Sequence, residues 1–146
     1  MESNARNKPM VNLRDNKMIN YGFTKEIEAS LEEAITKVTN ELKKEGFGIL
    51  TQIDVAEKFK EKLGIDFEKY IILGACNPPS AHEAILVEEN IGLMLPCNVA
   101  IYKRRNKTVV SIIKPTVAMK MIGNSELEHI ASAIEKKLKK VFDAII

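Results

Sequence analysis

The stretch Tyr70-Ile71-Ile72-Leu73-Gly74-Ala75-Cys76-Asn77-Pro78-Pro79 decides how this chain is read. Its first seven residues carry no charge and are apolar at both alternating positions, which predicts a strand inside a sheet. Asn77 and the two prolines after it predict a helix start. The Asn amide caps a first turn, and the prolines occupy positions whose N–H groups would have no helical partner anyway. Cys76 therefore sits where a strand gives way to a helix. Even this apolar run falls far short of the roughly 20 residues that a membrane span needs.

Working upstream, Gly46 and Gly64 close two helices. The first opens on the capping box Ser30-Leu31-Glu32-Glu33 and repeats Leu31, Ala34, Ile35, Val38 and Leu42 at helical spacing. The second opens on Asp54, with Glu57 three residues on, and includes Val55, Phe59 and Leu63. Between them Phe47 to Ile53 predicts a strand. Before them Ile19, Tyr21 and Phe23 alternate with Asn20, Gly22 and Thr24, the period of a half-buried strand. Downstream, Ala81, Ala84, Ile85 and Leu86 continue the helix that starts after Asn77. Cys97 to Lys103 and Thr108 to Ile113 read as strands joined by Arg104-Arg105-Asn106-Lys107, a solvated basic tip. A short helical turn follows Pro115. The last helix opens at Asn124 or Ser125 with Leu127, Ile130, Ile134, Leu138, Val141 and Ile145 as its buried stripe.

The order β-α-β-α-β-α-β-β-α predicts an α+β domain: a single mixed, mainly antiparallel sheet with two long amphipathic helices on one face. Residues 1–17, rich in Asn and charge, read as a flexible leader, and 18–146 as one domain.

Composition removes several function classes. With 22 basic and 20 acidic residues the chain lacks the field that nucleic-acid binding requires, and five Phe, three Tyr and no Trp leave few stacking platforms. No secretory signal opens the chain. Two cysteines make no disulfide framework, so the expectation is a cytoplasmic protein with free thiols. Neither a G-x-G-x-x-G nor a G-x-x-x-x-G-K-[ST] loop is present to cradle phosphates, and no G-x-S-x-G elbow presents a serine. No cofactor is indicated.

What chemistry remains gathers at the cysteines. A thiol before a helix N-terminus can be acidified by the helix dipole, and His82 in the same helix is placed to act as base or ligand. Against this, Pro78 and Pro79 remove two N–H donors, and Glu83 opposes a nearby negative charge. Unpaired cysteine is also among the residues most often buried for packing alone. Cys97, on one face with Val99 and Ile101, fits the packing role best. Cys76, Cys97 and His82 together would make a soft three-ligand set suited to zinc or copper, although no C-x₂-C pair and no fourth ligand accompany them. Each cysteine is followed by an Asn, an amide able to hold a loop or cap a helix, which points to one shared site.

Gly46-Phe47-Gly48-Ile49-Leu50, Leu63-Gly64, Ile72-Leu73-Gly74-Ala75-Cys76-Asn77-Pro78-Pro79 and Leu95-Pro96-Cys97-Asn98-Val99 occur in this order. From about Tyr21 to about Ile122 the chain resembles the bacterial and archaeal family catalogued as domain of unknown function 302. The resemblance implies a helix-on-sheet arrangement similar to the TATA-binding-protein-like folds, and it implies no activity. Both cysteine motifs of the family are intact, at Cys76 and Cys97.

The function expected from these residues is binding of a small molecule or partner at Cys76, Asn77, His82, Cys97 and Asn98. The alternatives are a thiol-dependent enzyme using Cys76 with His82, and a homodimer that pairs through its sheet. Deleting residues 1–15 is expected to leave the melting temperature within a few degrees of the full chain. A larger drop by calorimetry would move the domain boundary toward the N-terminus.

Overall fold

The computed structural model describes residues 19–146, so the expected leader and the Met18 boundary lie outside the described residues. The elements are β1 (Gly22–Ile27), α1 (Leu31–Lys44), β2 (Gly48–Asp54), α2 (Val55–Leu63) and β3 (Tyr70–Cys76). They continue with α3 (Pro78–Val87), a 3₁₀ turn (Glu89–Met94), β4 (Cys97–Arg104), β5 (Lys107–Ile113), α4 (Pro115–Met119), a second 3₁₀ turn (Lys120–Ile122) and α5 (Ser125–Ala144).

The local signals act as their chemistry dictates. Ser30 caps α1 in a reciprocal box with Glu33, at 3.1 and 2.9 Å. Asp54 accepts from the Glu57 N–H at 2.9 Å to start α2, and Asn124 accepts from Glu126 and Leu127 to start α5. Tyr21 stands outside β1 and is 59% exposed, so the first strand begins later than the alternation at Ile19 suggests.

One five-stranded sheet has the order β1-β5-β4-β3-β2, and every neighbouring pair is antiparallel. The expected mixed sheet is thus corrected. Both α2 and α3 bring the chain back to the end of the sheet it left, so the next strand must run the opposite way. The long crossover α1 joins β1 to β2, which run parallel to each other but stand at opposite edges.

The two long helices cover one face, as expected. Leu31, Ala34, Val38 and Leu42 of α1 and Ile134, Leu138 and Val141 of α5 pack on Phe23, Ile71, Leu73, Val99, Ile101, Val110 and Ile112. Ile35 and Ile130 are only half-buried, Ile35 at the margin of this core and Ile130 against a smaller one. That second cluster joins Ala84 of α3 and Ile91 to Met119, Leu127 and Ala131 beyond the sheet's end. The β2 strand is an edge, with Leu50 and Ile53 exposed and a bulge between Ile49 and Thr51.

The β4–β5 tip departs from the sequence reading. The turn itself is Arg105-Asn106, while Arg104 is 6% exposed and its guanidinium donates to Glu26 at 2.6 Å. Arg104 follows Tyr102 on the uncovered face, so its side chain lies along that face toward β1 and away from bulk water.

Gly74 stands where three strands crowd together. A Cβ there would press on the Thr51 hydroxyl and lie 2.7 Å from Cγ of Pro96, closer than real Cβ contacts. Gly74→Ala is therefore expected to cost about 1–3 kcal/mol through overpacking. Leu138→Ala, in the fully buried stripe, is expected to cost about 2–5 kcal/mol. Denaturant midpoints of the two variants check both figures, and a Gly74→Ala protein as stable as the parent would show that Pro96 yields.

Candidate functional site

The site is built around the end of β3. Asn77 is buried and spends both ends of its amide on structure. Its Oδ1 accepts from the Ser80 N–H at 3.3 Å, capping α3, and its Nδ2 donates to the Glu45 carbonyl at 3.3 Å beyond α1. Gly46 makes room for this contact. Its φ is +85°, and a Cβ there would stand 3.1 Å from the Asn77 amide nitrogen. One side chain thus ties together the end of α1, the end of β3 and the start of α3.

Beside this knot lies a cavity of about 330 Å³. The ends of β3 and β4 form one wall with Ala75, Cys76 and Cys97. The α3 helix supplies Ser80, Ala81, Ala84 and Ile85, and α5 supplies Leu127, Ile130, Ala131 and Ile134. Small side chains on α3 and α5 keep the two helices from filling the space between them. The lining is apolar apart from the Ser80 hydroxyl, the Asn77 amide and the two thiols.

Both cysteines line this cavity and neither is bridged. Cys97 pairs with Ala75, so both point to the helix-covered side, while pleat alternation starts Cys76 toward the other. Cys76 reaches the same cavity because it is the last residue of β3, at the sheet's rim. Burial pushes the Cys97 thiol up to about 11, and the neighbouring Cys76 thiol adds to the shift. At neutral pH Cys97 is therefore a protonated, poorly nucleophilic thiol.

Of the five expected site residues, Cys76, Asn77 and Cys97 come together here, whereas His82 and Asn98 do not. His82 is exposed on α3 and contributes nothing to the lining. The soft-metal set of Cys76, Cys97 and His82 is corrected accordingly. Among the described residues no group of three His, Cys, Asp or Glu side chains could hold a metal ion. Asn98 points to the uncovered face, where it lines a different recess with Tyr21, Tyr70, Tyr102 and Arg104. The repeated Cys-Asn step thus has two unlike outcomes, since one Asn follows a strand and the other lies within one. The α3 and α5 alanines escape a sequence reading, because small helix residues look the same whether they pack tightly or border a void. Among the described residues no helix is long and apolar enough to cross a membrane.

With this geometry in place, comparison with known proteins gives the chain its family. The sequence profile of the family described as "Domain of unknown function DUF302" matches residues 23–145. A solved structure, the "uncharacterized conserved protein DUF302 from Bacillus stearothermophilus", is 33% identical and superposes with a TM-score of 0.82. The match covers 88% of this chain and 100% of that one. No curated protein matches the chain. The profile spans both cores, both cysteine motifs and, apart from Gly22, all five strands, and the chain belongs to the DUF302 family.

Proposed function

We propose that the chain binds a small, mainly apolar molecule in the cavity bounded by α3, α5 and the two cysteines. The observation that carries this reading is the cavity itself. It opens to solvent on one side, where Leu50 and Ile85 are exposed, and an apolar concavity of this kind is what ligand sites present. A space of about 330 Å³ lined by alanine, leucine, isoleucine and methionine side chains lies within the range of ligand pockets. Its few polar groups hold water poorly, so an apolar guest that displaces this water gains the free energy of burying apolar surface. Ser80, at the first turn of α3, and the Cys76 thiol offer the polar contacts that would orient a ligand carrying one polar group.

The geometry gives a thiol-dependent reaction less support. His82, the base expected to assist Cys76, lies outside the lining. The protonated state of Cys97 removes the second thiol as a nucleophile at neutral pH.

Two outcomes are expected. N-phenyl-1-naphthylamine, a neutral fluorescent probe, binds the full chain with one-to-one saturation. Ala81→Leu, which places a larger side chain at the half-buried wall, weakens it at least tenfold while far-UV circular dichroism stays unchanged. Equal binding by parent and variant would place the probe elsewhere and refute the reading.

The second outcome concerns pH. The folded Cys97 thiol keeps its proton between the ordinary thiol value of 9.0 and about 11, where the unfolded thiol would lose it. Folding stability from this group is thus fully present below about pH 9 and falls as pH rises to about 11. Cys97→Ala should flatten the stability profile across that window relative to the parent, measured by urea denaturation. Parallel profiles would show that Cys97 ionises normally in the folded chain.

A further inference from the structure

The uncovered face of the sheet holds a second recess, of about 460 Å³, that shares no lining residue with the cysteine cavity. All three tyrosines of the chain line it. Tyr70 and Tyr102 stand directly opposite each other on β3 and β4, their rings stacked with centroids 4.8 Å apart and planes 8° apart. In the adjoining row Ala100 faces Ser111, which faces Thr24, and the last two hydroxyls bond at 2.8 Å. The alanine keeps this floor low between the stacked rings on one side and Asn98 on the other.

The charges that border the recess are engaged or face away from it. Arg104 lies at one end with its guanidinium on Glu26. Lys25, also in the lining, directs its ammonium away, over the Phe142 ring at 4.5 Å and onto the Ile145 carbonyl. The neutral groups are unengaged by comparison. The phenols of Tyr21, Tyr70 and Tyr102 and the amide of Asn98 are at least partly exposed at the recess, so they face water and not a buried protein partner. Burial raises the Tyr70 and Tyr102 phenols, so both remain donors at neutral pH.

This pattern selects for one chemistry. An ionised ligand would lose hydration without meeting a counter-charge that is both free and directed into the recess. A wholly apolar ligand would strip water from the phenols and the Asn98 amide and leave them unsatisfied. Ring faces interleaved with neutral donors and acceptors suit a ring that is itself both apolar in face and polar at its edge. We propose that this recess binds an uncharged, hydroxyl-bearing ring molecule, the chemistry shared by sugars and nucleosides. The proposal rests on residues that take no part in the cysteine cavity and stands or falls independently of it.

Tyrosine labelled selectively with ¹³C gives three ring signals, every one from this recess. The full chain is titrated with cellobiose, glucose and adenosine, with glucose 6-phosphate as the charged control. Saturable shifts of all three signals with cellobiose, glucose or adenosine are expected, and the sugar and nucleoside arms tell which source is preferred. Both Ala100→Leu, which fills the floor, and Asn98→Ala, a change at an exposed side chain, should weaken binding at least tenfold. Binding of N-phenyl-1-naphthylamine should be unaffected by either. The proposal is overturned if none of the three uncharged probes shifts the signals, or if glucose 6-phosphate binds better than glucose. It is equally overturned if the signals move with protein concentration alone and sedimentation shows a dimer, since a second copy would then cover the face.

Discussion

Ala75 pairs with Cys97 across β3 and β4, and the rest of the architecture depends on that register. It places Leu73 beside Val99 and Ile71 beside Ile101, three of these four fully buried and all under α1 and α5. It also places Tyr70 beside Tyr102 and Gly74 beside Asn98 on the uncovered side. A slip of one residue would carry the whole apolar set of a strand to the wrong face. The crowding of Gly74 by Thr51 and Pro96 resists such a slip, because only a residue without a side chain fits that position.

From that register two chemically different surfaces arise in one small domain. On the covered side the sheet ends before the helices do. Beyond its rim α3 and α5 face each other through alanines, and the cavity is what remains. Asn77 holds this arrangement in place by capping α3 while gripping the carbonyl of Glu45. On the other side none of the helices among the described residues covers the strands. There tyrosines and small hydroxyl residues alternate in rows, with the Arg104–Glu26 pair closing one end. The stretches 46–50, 72–79 and 95–99 fall largely on the elements that separate these surfaces, and geometry accounts for Gly46, Gly74 and Asn77 there.

What could be read from the sequence was local or periodic. The Ser30, Asp54 and Asn124 caps, the Asn77-Pro78-Pro79 helix start and the stripe from Leu127 to Val141 each declare themselves within a few residues. The one-sided helix layer followed from two such stripes. Strand direction was misread in part, because it depends on which end of the sheet α2 and α3 return to. The site was half readable: the cysteines do share a cavity wall, whereas His82 turns outward and Asn98 falls on the opposite face. Arg104 looked like a solvated turn residue because its partner, Glu26, lies 78 positions away. Its burial is set by the pairing of β1 with β5 and not by its neighbours in sequence.

The central claim is that the cavity beside Cys76 and Cys97 is open to apolar guests. Diffraction from crystals equilibrated under xenon pressure addresses it most directly, because xenon enters dry apolar cavities and is displaced from wet ones by ordered water. The account predicts a xenon peak between the alanines of α3 and α5, in contact with Cys97. Ordered waters bonded to Ser80 and the two thiols in that space, with no xenon, would contradict it.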